Sequence, residues 1–101
     1  MRILLTIRLN RETFNAAVRD GSAGSKTKAI LDEAKPEAVY FTEMGGCRTV
    51  IMITDLENPS MVPALAEPWF LTFNADVEFH VVMSAKDLQQ AGLDKLGEKW
   101  G

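Results

Sequence analysis

The sequence predicts an α+β domain whose elements run β, α, β, β, α, β. Three observations predict it. Apolar residues recur with period two in Met1–Leu9 and Asp76–Met83, while helical spacing fills much of the chain between the strand-like stretches. A Gly45-Gly46 pair separates two apolar runs as a tight turn would. The length of 101 residues, with 47% hydrophobic and 25% charged, matches one ordinary globular domain over residues 1–101.

In Met1–Leu9, Ile3, Leu5, Ile7 and Leu9 alternate with Arg2, Leu4, Thr6 and Arg8, which makes a strand with one strongly apolar face. Asn10 is suited to cap a helix, and Glu12 falls in the favourable first turn. Phe14, Ala17 and Val18 carry the helical stripe. The stretch Asp20–Ser25, with Gly21 and Gly24, interrupts this first helix as a kink or loop, and no functional account attaches to the break. Helical spacing resumes at Lys26–Ala34, with Ala29, Ile30 and Ala34 on one stripe, and Pro36 stops it.

Glu37–Met44 and Arg48–Thr54 are the second and third strands, joined as a hairpin. A helix starts near Asn58-Pro59 or Ser60, with Ser60 the favoured cap because Pro63 fits only a first turn. Met61, Val62, Leu65 and Ala66 form its stripe, and Pro68 is expected to kink or end it before Trp69. Asp76–Met83 is the fourth strand, with Val77, Phe79, Val81 and Met83 on one face. Ser84 to Asp87 has the pattern of a capping box with Asp for Glu, opening a short helical tail broken at Gly92.

One hairpin and two crossovers suit a four-stranded antiparallel sheet of order 4-1-3-2 with helices on one side, the ferredoxin-like arrangement. The other sheet face then carries Arg2, Leu4, Thr6, Arg8, Glu78, His80 and Val82, joined from the hairpin by Tyr40, Thr42, Arg48, Val50 and Met52. Such a face is too apolar to be left wet and too charged to be dry unless its charges pair. Two copies stacked across a two-fold axis meet both demands, so a homodimer through the open face is expected.

The net charge of -3, without a run of Lys or Arg, gives no footprint for tracking nucleic-acid phosphates. RNA-recognition domains of this fold place aromatics on the central strands, and Met1–Leu9 and Arg48–Thr54 hold none. Neither nucleic acid nor membrane is an expected partner. The apolar N-terminal run is short and carries Arg2 and Arg8, so it reads as a strand and not a signal peptide. A single cysteine, Cys47, excludes an intramolecular disulfide and suits a reduced, cytoplasmic setting. One histidine and one cysteine do not make metal-ligand spacing, and no cofactor is expected.

The element order, with Pro36–Phe41 and the run Ala64-Leu65-Ala66-Glu67-Pro68-Trp69-Phe70, resembles the dimeric α/β-barrel superfamily. Within it the chain is similar over nearly its whole length to a group of small bacterial proteins that has no established activity. Some members of that group carry the label pantothenate synthetase. The residues here do not support it: there is one histidine and no Gly-rich phosphate loop. The layout is also similar to muconolactone isomerases, in which a Pro-aromatic turn leads into the last strand, and the fold is shared with heme-degrading and quinol-forming monooxygenases. The resemblance implies a homodimer and transfers no mechanism.

The candidate catalytic residues are His80, Glu78 and Glu43. Imidazole exchanges protons near neutral pH, and Glu78 on the same strand face could orient it. The alternatives are an interface histidine with satisfied hydrogen bonds and a solvated hairpin glutamate. The candidate ligand-binding residues are Arg8, Tyr40, Arg48, Trp69, Phe70 and His80. Arg8 and Arg48 could clamp a carboxylate through the planar guanidinium, or pair with Glu78 or Glu43 across strands. Trp69 and Phe70 could line a pocket mouth, or form a lid on the core. Cys47 follows the glycine turn, where a reactive thiol is possible but not expected. Three functions follow from these residues: a homodimer binding a small organic ligand in the sheet or barrel, a cofactor-free isomerase or monooxygenase-like enzyme, and a non-catalytic structural or regulatory dimer.

Overall fold

The computed structural model covers residues 1–101. Its elements are β1 (Arg2–Arg8), α1 (Arg11–Asp20), α2 (Ala23–Ala34), β2 (Ala38–Met44), β3 (Cys47–Asp55), a single 3-10 turn (Pro59–Met61), α3 (Val62–Phe73), β4 (Asp76–Val81), α4 (Ala85–Gln90) and α5 (Leu93–Trp100). The four strands form one antiparallel sheet in the order β2-β3-β1-β4, compatible with a ferredoxin-like α+β fold.

Period-two alternation in β1 sends Ile3, Leu5 and Ile7 into the core, where they are fully or almost fully buried. Register carries this face across the sheet: Ile7 lies opposite Val50 and Val77, and Leu5 opposite Met52 and Phe79. Ala17, Ile30, Leu65, Trp69 and Phe73 of the three main helices close over these residues as a single core cluster. Deep burial of this kind is the main favourable term in folding.

Local chemistry fixes the joints. Asn10 is extended, and its Oδ1 accepts hydrogen bonds from the Thr13 N–H and hydroxyl at 3.0 Å, which starts α1 directly after β1. Gly45 and Gly46 both have positive φ (59° and 76°), the geometry of a two-residue hairpin turn, and Met44 lies opposite Cys47. Ser84 and Asp87 form a reciprocal capping box on α4.

The structure corrects several sequence expectations. The expected break in the first helix is present but narrower than Asp20–Ser25: α1 ends on left-handed Gly21, α2 begins at Ala23, and Gly24 is helical. Asn58, not Ser60, caps the 3-10 turn that leads into α3. That helix runs through Pro68 to Phe73, because Leu65, Ala66, Trp69 and Phe73 anchor it to the core on both sides of the proline. β4 ends at Val81, and Val81 and Met83 are exposed, uncovered by any helix.

The face opposite the helices is uncovered. Its rows are Ala38–Ile53–Leu4–His80, Tyr40–Ile51–Thr6–Glu78 and Thr42–Thr49–Arg8–Asp76. Arg48, Val50 and Met52 were expected here, but register puts them on the helix side, and Cys47, Thr49, Ile51 and Ile53 take their place. Both sides of β3 are apolar, so only its pairing with β1 decides which residue faces which way.

Candidate functional site

The end of β1, the start of α1 and the β2–β3 turn meet at one end of the sheet. The Asn10 cap makes Arg11 the first residue of α1, and its Nη2 donates to the carbonyl of Gly46 at 3.1 Å. Arg8, at the end of β1, places its Nη2 3.6 Å from the sulfur of Cys47. Arg48 donates from Nη1 to Oδ1 of Asn15 at 2.7 Å, and its guanidinium carbon stands 5.1 Å from the centre of the Phe14 ring.

None of the three arginines forms an ion pair. The ion pairs of the protein are Met1 ammonium–Asp55, Arg2–Glu37 and Lys28–Asp32, with a further His80–Glu78 contact that is an ion pair only when the imidazole is protonated. Register sets Asp76 opposite Arg8 and Glu43 opposite Arg48, yet neither carboxylate reaches its cross-strand arginine as an ion pair. The guanidinium contacts are to a carbonyl, an amide oxygen and a thiol. The unpaired N–H groups at the start of α1 add positive potential to this end of the fold.

Three clefts open here, two of which meet at Cys47. One, of about 210 Å³, is lined by Arg11, Asn15, Glu43, Gly46, Cys47, Arg48 and Leu9. The other, of about 410 Å³, runs along Arg8, Asn10, Arg11, Cys47, Asn74, Ala75, Asp76 and Leu9. Leu9, Arg11 and Cys47 belong to both, so the Cys47 thiol sits where the two clefts adjoin. Planar guanidinium groups suit the two oxygens of a carboxylate or the face of a phosphate.

Of the residues singled out in the sequence, Arg8, Arg48 and Glu43 come together at these clefts. Tyr40, Glu78 and His80 lie elsewhere on the open face: Tyr40 opposite Ile51 on an edge strand, Glu78 opposite Thr6, and His80 opposite Leu4. His80 Nε2 is 3.4 Å from Glu78 Oε2, with both side chains more than half exposed. Trp69 is fully buried in the core beside Phe73 and lines no cleft, and Phe70 is partly exposed on α3. Arg11, Asn15 and the Gly46 carbonyl were not singled out. The signal that could have found them is Asn10: a helix capped there must begin beside the hairpin turn.

No group of three or more His, Cys, Asp or Glu side chains is placed to hold a metal ion. No helix is long and apolar enough to cross a membrane. The carboxyls whose titration is clearly shifted lie away from the clefts. Asp20 is held below its ordinary value by hydrogen bonds from Ser22, Asp55 by the Met1 ammonium, and Asp87 by the backbone N–H and hydroxyl of Ser84. Compared with known protein families and with curated proteins, the chain matches none.

Proposed function

We propose that this protein is a ferredoxin-like homodimer that binds a small organic anion at the hairpin end of the sheet. The observation that carries this reading is the convergence of Arg8, Arg11 and Arg48, none of them ion-paired, on the two clefts that meet at Cys47. In a chain of net charge -3, three guanidinium groups that form no ion pair, against the two carboxylates Glu43 and Asp76 that line the same clefts, favour an anionic partner. A carboxylate suits the forks of Arg11 and Arg48, and the apolar part of a small acid can rest on Leu9.

The homodimer reading is supported by the open sheet face. Leu4, Ile51, Ile53 and Val82 form a half-buried apolar strip there, bordered by Tyr40, Arg2, Arg8, Glu78 and His80. A self-complementary patch of that kind is what a two-fold interface needs.

A thermal-shift panel of small carboxylates and phosphates at constant ionic strength tests the anion site. A ligand present at a hundred times its Kd stabilises by about 2.7 kcal/mol, which for a domain of this size raises Tm by roughly 10–20 °C. Saturable stabilisation by at least one organic anion is expected, weakened about ten- to a hundredfold in affinity by Arg48→Ala, as loss of a charged hydrogen bond implies. Shifts no larger than those given by chloride would refute the reading.

A further inference from the structure

We infer that the organic anion bound at the hairpin end is a monocarboxylate carrying an aromatic ring on a short spacer, with the ring seated between Phe14 and Phe41. The inference rests on the anion reading above and narrows it to one class of ligand.

The third cleft at this end of the sheet is the place for the ring. It measures about 350 Å³, and its apolar walls are Leu9, Phe14 and Phe41. A closed apolar cavity of about 150 Å³ already holds benzene, so a single ring fits with room for a spacer. Register explains how the walls come together. Phe41 lies opposite Val50 and Glu43 opposite Arg48, so Phe41, Glu43 and Arg48 share the helix side of the sheet with buried Val50. The first turn of α1 brings Phe14 to the same side, where its ring centre is 5.1 Å from that of Phe73 and is held by the core. One aromatic wall is therefore fixed. The other, Phe41, is 61% exposed although it faces the side that the helices cover elsewhere. An aromatic group entering the cleft meets both rings, and edge-to-face or offset contact with them adds to the burial of its own surface.

Charge sets the other end of the ligand. Leu9, Glu43 and Arg48 line both this cleft and the one that holds Arg11, so the two are continuous at these residues. The Arg48 guanidinium carbon stands 5.1 Å from the centre of the Phe14 ring. A carboxylate held by Arg48 is thus next to the apolar wall, and a short spacer is enough to reach it. Glu43 disfavours a second negative charge. It lines both clefts and forms no ion pair, so a dicarboxylate or a phosphate ester extending from Arg48 would set like charges side by side. The site therefore suits one charge and one ring.

Heteronuclear NMR titration of the full chain with 3-phenylpropanoate, acetate, succinate and inorganic phosphate, at one pH and constant ionic strength, tests this assignment. 3-Phenylpropanoate is expected to bind at least about tenfold more tightly than each of the other three, as an apolar group in a pocket allows. Its ring protons are expected to show nuclear Overhauser contacts with the side chains of Phe14 and Phe41. Phe41 lies outside the buried core cluster, so Phe41→Ala folds, and its preference for 3-phenylpropanoate over acetate is expected to fall about two- to tenfold. Equal affinities for 3-phenylpropanoate and acetate, a preference for succinate or phosphate, or an unchanged preference in Phe41→Ala would overturn the aromatic acid and leave the anion site standing. Shifts no larger than those of chloride for all four ligands would remove the anion reading as well.

Discussion

Replacing Asn10 with alanine removes one acceptor that two donors share. Asn10 Oδ1 takes the Thr13 N–H at 3.0 Å and the Thr13 hydroxyl at 3.0 Å, and both are lost together. Loss of a helix N-cap costs about 1 kcal/mol, which lowers Tm by roughly 4–8 °C in a domain of this size. The consequence reaches the candidate site, because Arg11 is the first residue freed when α1 frays and its contact with the Gly46 carbonyl goes with it. Asn10→Ala is therefore expected to lose both stability and anion affinity. Asn10→Asp separates the two effects. Aspartate caps as well as asparagine, so Tm recovers, but its carboxylate next to Arg11 competes with the ligand and affinity stays low. Thermal unfolding by circular dichroism with a parallel calorimetric titration reads both quantities. Wild-type Tm in Asn10→Ala, or wild-type affinity in Asn10→Asp, would refute the link between cap and site.

Other outcomes follow from the same structure. Leu5 is fully buried at the centre of the core, so Leu5→Ala is expected to cost about 2–5 kcal/mol in denaturant unfolding. Arg48→Lys keeps the charge but loses the planar fork that spans Asn15 and the Phe14 ring, so it is expected to weaken anion binding nearly as much as Arg48→Ala while leaving urea stability close to wild type. The lowered values of Asp20, Asp55 and Asp87 set an acid limb. A carboxyl whose value is lowered on folding contributes stability above its unfolded value, and that contribution is lost as pH falls through the folded one. Stability from these groups is thus expected to hold from neutral pH to about pH 4 and to fall below it, with a shallower fall in Asp87→Asn.

The antiparallel sheet and its hairpin were legible because single residues dictate them. Gly45 and Gly46 accept the positive φ the turn demands, and the alternation of β1 leaves one choice of core face. β3 was not legible in the same way. The run Val50-Ile51-Met52-Ile53 is apolar on both sides, and only its long-range pairing with β1 turns Val50 and Met52 inward. Pro68 misled for a related reason: local propensity disfavours it within a helix, but Trp69 and Phe73 are held by the core, and packing outweighs propensity. At the candidate site, Arg8 and Arg48 stand out by their chemistry alone. Arg11 and Asn15 do not, because their closeness to the hairpin turn spans more than thirty residues of chain.

Cys47 offers the most direct test of the anion site, because it is the only cysteine and lines both clefts. Its rate of alkylation by iodoacetamide, followed as an anion that stabilises the protein is titrated in, reports whether the clefts are filled. The account expects saturable protection with the same midpoint as the stabilisation, moved to about ten- to a hundredfold higher anion concentration in Arg48→Ala. An alkylation rate that stays constant while the anion saturates the protein would contradict it.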